Sequence, residues 1–288
     1  MDLGVFLYFV YIAVGFVLLI KGADFLVNGA SSLAKRFNVS DIAIGLTVVA
    51  MGTSAPELVV NIISGAKGDA NGIIFGNIIG SNIFNVFLIL GISAIIYPLT
   101  VQKNALWKEV PYSFFVAVLF VILVNDGFIS DLFNNGSTEN VLSVSDGWIL
   151  MGLFLVFILY IFMNLKRHPE EIEGEDVILY GSLKTTVMIL FGIAGLIFGG
   201  QMIVDNAVKI AKIFEVSDEL IGLTILAAGT SLPELATSAV AAFQKKSDLA
   251  VGNIVGSNIF NLFLVLGATA VISGDLAFDV ALNWDLGF

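Results

Sequence analysis

Two glutamates stand where a carboxylate is costly. Glu57 lies in AMGTSAPELVV, residues 50–60, and Glu234 in AAGTSLPELAT, residues 227–237. Each follows a proline inside an apolar run that should span a membrane. An ionised carboxylate at mid-bilayer costs on the order of 3 kcal/mol even on insertion scales, and proline in a helix interior removes a hydrogen bond and clashes with the preceding turn. Ser54-Ala55-Pro56-Glu57 and Ser231-Leu232-Pro233-Glu234 share the S-x-x-E spacing of a capping box, with proline in the first turn, where it is tolerated. The spacing predicts a helix that stops near 51–53 and restarts at Ser54, and the same event in the second segment. A broken membrane helix frees carbonyls on one half and amides on the other, which survive only where protein, water or ions satisfy them. A pure capping role is the simplest alternative, but glutamine caps without the charge. A pair that binds only protons is the other.

The partner segments point to a cation. Asn77, Ser81 and Asn85 recur at i, i+4 and i+8, which places them on one helix face. Asn253, Ser257 and Asn261 repeat that stripe. Gly72, Gly76 and Gly80, with Gly252 and Gly256, offer small-residue faces for close helix approach. Asn77 and Asn253 suit helix–helix hydrogen bonding as well as a site; Ser81, Asn85, Ser257 and Asn261 are better placed to face the broken helices. The donors are then the Glu57 and Glu234 carboxylates, the hydroxyls of Thr53, Ser54, Thr230, Ser231, Ser81 and Ser257, amide oxygens and freed carbonyls. Such an all-oxygen set suits hard cations, and Ca²⁺ takes about six to eight oxygens. Two carboxylates balance one Ca²⁺ or two of several Na⁺. The chain has no cysteine, and its one histidine, His168, sits in a charged loop, so zinc and copper are disfavoured.

The elements that must carry these residues are membrane helices. Of the 288 residues 58% are apolar and 13% charged, with a mean hydropathy of +0.97; this composition describes a polytopic membrane protein. Runs near the ~20 residues that cross a bilayer fall at about 3–20, 43–63, 72–97, 110–125, 147–164, 185–203, 220–243 and 249–272, predicting eight helices and an all-α fold. The ten-residue alternation of a strand barrel is absent. Asp2 precedes the first run in place of a basic region, so that run reads as a retained helix and not a signal peptide. With an external N-terminus, Lys21, Lys35, Arg36, Lys103, Lys108, Lys166, Arg167, Lys184, Lys245 and Lys246 fall on the cytoplasmic side and only Lys67, Lys209 and Lys212 outside, the bias expected of cytoplasmic loops. The loop 125–146 carries no basic residue, as suits the outside. A net charge of −11 argues against nucleic acid as a partner.

The chain is also an internal duplication. VSDIAIGLTVVAMGTSAPEL from Val39 aligns without gaps to VSDELIGLTILAAGTSLPEL from Val216, and FGNIIGSNIFNVFLILG from Phe75 to VGNIVGSNIFNLFLVLG from Val251. An odd number of spans, five, separates the two copies, so the second enters the membrane from the opposite side. Inverted repeats of this kind typify secondary transporters, with the substrate site near the midplane where the copies meet. Residues 1–164 form the first five-helix repeat, 165–184 a charged linker containing KRHPEEIEGED, and 185–288 the second. The second repeat stops after its third helix, so two of ten expected helices are missing and the chain is expected to be a fragment of a ten-helix protein.

At these residues the sequence resembles the cation/Ca²⁺ exchanger superfamily, most of all its prokaryotic Na⁺/Ca²⁺ exchangers: GTSAPE…GNIIGSNIFN and GTSLPE…GNIVGSNIFN are similar to the family's paired signature. The resemblance implies ten helices, alternating access, and a core of helices two, three, seven and eight against which helices one and six slide. It implies Glu57 and Glu234 as ligands of both ions, Thr53 and Thr230 carbonyls for Ca²⁺, and Ala50 and Ala227 carbonyls for Na⁺. Ser54, Ser231, Ser81 and Ser257 hydroxyls would complete the Na⁺ sites, and Asn85 and Asn261 would line the centre. Some members carry Asp at one of those last two positions; here both are Asn, which leaves Na⁺ stoichiometry, K⁺ and H⁺ use open. The linker is too short for a folded regulatory domain.

The function expected is Na⁺/Ca²⁺ antiport, electrogenic at the family's usual three Na⁺ per Ca²⁺, in a prokaryotic plasma (inner) membrane with the lipid bilayer as surroundings and no cofactor. A Ca²⁺/H⁺ exchanger of the same fold is the alternative. A passive channel could use acidic rings, but broken inverted repeats favour alternating access. An intramembrane hydrolase would need an activated nucleophile, and neither a cysteine nor a lysine stands near the GTS serines, so no enzyme activity is expected.

Overall fold

A computed structural model describes residues 3–66, 71–100, 103–125, 140–164, 178–216, 224–225 and 227–286. The first helix, α1 (Leu3–Phe37, 35 residues), runs well past the stop at about residue 20 that hydropathy predicts. Asp24, Asn28, Ser31 and Ser32 make residues 22–34 look like a loop. Yet Ala23, Leu26, Val27, Ala30 and Ala34 keep helical spacing and are all buried, and a buried apolar stripe is enough to hold a helix. Lys21 therefore sits on the helix and not in a cytoplasmic loop. At about 1.5 Å per residue α1 spans roughly 50 Å, against a hydrocarbon core of about 30 Å.

Its repeat equivalent, α7 (Ser182–Ile213), is likewise longer than its predicted span and begins within the predicted linker. The two pack along their length through glycines. A Cβ on Gly22 would stand 2.8 Å from the Gly192 carbonyl oxygen, and one on Gly199 2.8 Å from that of Gly15. Their far ends are tied by Arg36, which donates to the Ser182 hydroxyl and the Tyr180 carbonyl, and by Ser32 at 3.1 Å from the Thr185 hydroxyl.

Helix α2 (Asp41–Thr53) and α3 (Ala55–Ala66) form a broken span bent by 45°. Helices α4 (Gly72–Ile96), α5 (Lys103–Val124) and α6 (Val144–Asn164) follow. After α7 come α8 (Ala227–Thr230), α9 (Leu232–Phe243) and α10 (Ser247–Ser273). Strands β1 (Val141–Leu142) and β2 (Leu276–Ala277) pair antiparallel, and a short α11 (Asn283–Leu286) follows. Residues 220–223 and 226 of the predicted seventh span, and most of the linker with His168, lie outside the described residues.

The core divides in two. One cluster joins Phe75, Phe120, Phe157 and Phe263 from α4, α5, α6 and α10; the other joins α1, α7 and α9 around Leu26, Leu196 and Ala241. Outward-facing Phe114, Phe162, Leu183, Phe191 and Phe198 are exposed, the lipid-facing surface of helices that span a membrane. Gly252 and Gly256 do bring α10 against α2: Cβ atoms there would meet the Ile42 carbonyl oxygen and Leu46 Cα at 2.7 Å. Nothing described approaches Gly72, Gly76 or Gly80 within 4 Å; the repeat equivalents of their expected partners fall in 219–226, mostly outside the described residues.

Candidate cation site

Each glutamate is delivered by the helix that restarts after a break. Ser54, at φ −85° and ψ 9°, separates α2 from α3, and Ser231, at φ −87° and ψ 4°, separates α8 from α9. Matching dihedrals make the two breaks the same local structure built twice. Each restart places its glutamate in the first turn, and proline fits there because its missing N–H would be unpaired anyway. The expected capping boxes do not form. Ser54 donates instead to Oε1 of Glu234, in the other repeat, at 2.7 Å, and Ser231 makes no capping bond. A hydroxyl bond to a carboxylate is roughly twice as strong as one to a neutral partner, so the serine follows the charge.

The two halves of the site differ. Around Glu234, Ser257 also reaches Oε1 at 3.4 Å, and the Thr53 hydroxyl lies 3.4 Å from that of Ser257. Around Glu57 the equivalent hydroxyls, Ser231 and Ser81, are unbonded. Both Glu57 oxygens, Oε2 of Glu234, Oγ of Ser81 and Ser231, and Oδ1 of Asn85 and Asn261 are buried without a hydrogen bond. Each such orphan costs roughly 1–3 kcal/mol, and native proteins leave few of them. Every orphan in this set is an oxygen, which fits the coordination of a hard cation and not of a soft one. Among the described residues no group of three or more His, Cys, Asp or Glu gathers, so the charge at the site is that of two carboxylates.

Asn77 and Asn253 are structural. Asn253 accepts from the Thr53 hydroxyl at 3.1 Å and donates to Ser238 at 2.9 Å. Asn77 accepts from Thr230 at 3.3 Å and donates to Asn61 at 2.8 Å. These are the same pair of bonds related by the repeat, and they consume both amides in holding Thr53 and Thr230 across the interface. The Ala50 carbonyl accepts from the Ser54 amide at 2.9 Å and the Thr53 hydroxyl at 3.3 Å, so the last turn of α2 engages it; Ala227 opens α8. Asn253→Leu should strand Ser238 and leave Thr53 only its longer contacts with the Ala50 carbonyl and Ser257. A fall in the thermal unfolding midpoint, from a loss of about 1–3 kcal/mol, is the expected result in detergent.

Sequence reasoning missed Asn61, Ser238, Asn82 and Asn258. Asn61 and Ser238 each lie one helical turn past a glutamate, a signal that was present. It also missed that backbone pitch changes at the site: Gly45–Val49, Asn85–Ile89 and Asn261–Val265 are π-helical, an irregularity frequent at functional sites.

A sequence profile described as sodium/calcium exchanger protein matches residues 7–163 and 184–288. The chain belongs to this family. It is similar to the putative antiporter CaxA of Alkalimonas amylolytica, with 38% identity over 92% of this chain and 80% of that one. Sodium/calcium exchanger MaX1 of Methanosarcina acetivorans is 31% identical over 91% and 82%. A solved structure of the sodium-calcium exchanger NCX_Mj, soaked with Na⁺ and Sr²⁺, superposes with a TM-score of 0.82 at 33% identity, covering 98% of this chain and 86% of that one. This family member is therefore a predominantly helical polytopic membrane protein of exchanger type.

Proposed function

We propose that this protein exchanges Na⁺ for Ca²⁺ across a prokaryotic inner membrane by alternating access, with Glu57 and Glu234 as the charged centre of one shared site. The observation that carries this reading is the set of buried, unbonded oxygens contributed by both repeats, with two carboxylates among them. Ca²⁺ would neutralise the pair. Thr53, Thr230, Ser54, Ser231, Ser81, Ser257, Asn85 and Asn261 would supply neutral oxygens, and the Ala50 and Ala227 carbonyls would complete the Na⁺ positions. Occupancy by Ca²⁺ or by several Na⁺, never both in full, would permit reorientation. Three Na⁺ against one Ca²⁺ moves one net charge, worth about 2.3 kcal/mol per 100 mV.

Residues 1–164 and 185–288 would be the two halves, with the N-terminus outside. The long α1 and α7, joined through glycine contacts, would travel as one body over the core. The reading is of a transporter and not an enzyme, with no cofactor beyond the transported ions.

The test is radioactive Ca²⁺ uptake into proteoliposomes under an outward Na⁺ gradient or an outward H⁺ gradient, at clamped potential. Uptake is expected with Na⁺ alone, and accelerated when the vesicle interior is positive, because three Na⁺ leaving for one Ca²⁺ entering carry one net positive charge outward. Uptake driven by H⁺ alone would replace this reading with Ca²⁺/H⁺ exchange on the same two glutamates.

A further inference from the structure

Asn82 and Asn258 follow the stripe serines in GSNIFN, and each sits on the helix beside its repeat partner. The Asn82 amide nitrogen lies 3.4 Å from the Asn258 carbonyl, and the Asn258 amide nitrogen 3.4 Å from the Asn82 carbonyl. Their side-chain oxygens point the other way round the ring: Asn261 donates to Oδ1 of Asn82 at 3.1 Å, and Asn85 donates to Oδ1 of Asn258 at 2.8 Å.

The directions of these bonds are not interchangeable. A backbone carbonyl can only accept, so it must face the NH₂ of Asn82 or Asn258. That leaves each of those two amides with its oxygen turned to the neighbouring asparagine. The neighbour must then present its own NH₂, and its remaining atom is an oxygen. The outcome is visible in the burial: Oδ1 of Asn85 and Oδ1 of Asn261 are both enclosed and unbonded. An amide that could flip would offer a cation either an oxygen or a repelling NH₂. These two cannot flip without setting an amide oxygen of Asn82 or Asn258 against a carbonyl oxygen of the opposite repeat.

We propose that Asn82 and Asn258 are positioning residues of the transport site: through two backbone carbonyls they lock the Asn261 and Asn85 amides so that oxygen, and never nitrogen, is presented to the cation. The inference rests on the exchange reading above. It also explains how two amides can serve a cation beside the two glutamates: their oxygens are fixed in orientation, where a carboxylate would need no orienting.

The test is a pair of double-mutant cycles in proteoliposomes, reading the cation concentration for half-maximal exchange and the maximal rate separately. Asn82→Leu is expected to raise the half-maximal concentration about tenfold, the effect of losing one ligand oxygen, with a smaller change in maximal rate. Asn261→Leu should do the same. The double variant should be no worse than either single one, because nothing remains to orient. Asn82→Asp keeps an acceptor facing Asn261 but sets its second oxygen against the Asn258 carbonyl, so its loss should be clearly smaller than that of Asn82→Leu without reaching the parent. Asn258 and Asn85 form the second, independent cycle should Asn82→Leu fail to reconstitute.

Additive losses in both cycles, or equal loss in Asn82→Asp and Asn82→Leu, would reduce the asparagines to packing and overturn the proposal. Failure of the exchange reading itself is distinguishable, since it would show as intact Ca²⁺ flux when Glu57 or Glu234 is neutralised in the same vesicles.

Discussion

Glu57→Gln is expected to abolish Na⁺-driven Ca²⁺ uptake while leaving a folded protein, and Glu234→Gln to do the same. One unit charge at 4 Å is worth about 4 kcal/mol at an effective dielectric of 20, and Ca²⁺ carries two. Loss of either carboxylate should therefore weaken Ca²⁺ binding by well over a hundredfold. The two variants should differ without the ion. Glu234 already holds the Ser54 and Ser257 hydroxyls, bonds that a glutamine oxygen can keep. Glu57 has the Thr230 side chain beside it but no well-formed hydrogen bond on either oxygen, so its replacement relieves a poorly paired buried charge, and a glutamine NH₂ gains the Ser81 and Ser231 oxygens as acceptors. In Ca²⁺-free detergent the Glu57→Gln midpoint is expected to equal or exceed that of the parent. Added Ca²⁺ should raise the parent's midpoint, as any ligand of the folded state does, and leave the variant's unchanged. Near-normal flux, or a Ca²⁺-dependent rise in either variant, would remove the glutamates from the site.

Much of this arrangement was legible because the chain states it twice. Matching Val39 with Val216 and Phe75 with Val251 places Thr53 with Thr230, Glu57 with Glu234 and Ser81 with Ser257, and helical spacing then puts the asparagines on one face. What a duplicated sequence does not carry is which copy a side chain bonds. The S-x-x-E spacing reads as a local cap, yet the Ser54 hydroxyl closes a contact with a residue 180 positions away. Hydropathy ended α1 too early because it weighs Asp24 and Asn28 equally with Leu26 and Val27, although only the latter pair is fully buried. The π-helical steps at Asn85 and Asn261 begin at the same motif position in both copies, but helical periodicity alone does not distinguish them from α-helix.

The symmetry of the repeats is also broken where it matters for transport. Among the described residues α10 is more fully enclosed than α4, although the stripe residues Ser81 and Asn85 are as buried as Ser257 and Asn261. The same bias appears in the hydroxyls, bonded around Glu234 and free around Glu57. Coupled sites respond through elements that have more than one arrangement, and the Glu57 half has fewer bonds to exchange before it can close on an ion.

The enclosure of α10 leads to the second large effect. Gly256→Val is expected to eliminate transport and lower the unfolding midpoint sharply. A Cβ at Gly256 would lie 2.7 Å from both Cα and the carbonyl oxygen of Leu46 and 2.8 Å from Cβ of Ala50. Backbone atoms cannot rotate aside, so α2 must move away from α10. The residues displaced first are those one or two turns along: Thr53 loses Asn253 and Ser257, and Ser54 loses Glu234. Overpacking of this kind costs about 1–3 kcal/mol even where side chains can adjust, and here the loss of the cross-repeat bonds adds to it. Gly152→Ala on α6 is the matched control, since nothing lies within 4 Å of its Cβ; its midpoint and exchange rate should equal the parent's. If Gly256→Val exchanged Ca²⁺ at the parental rate, the close contact of α2 with α10 would not be what holds the two halves of the site together.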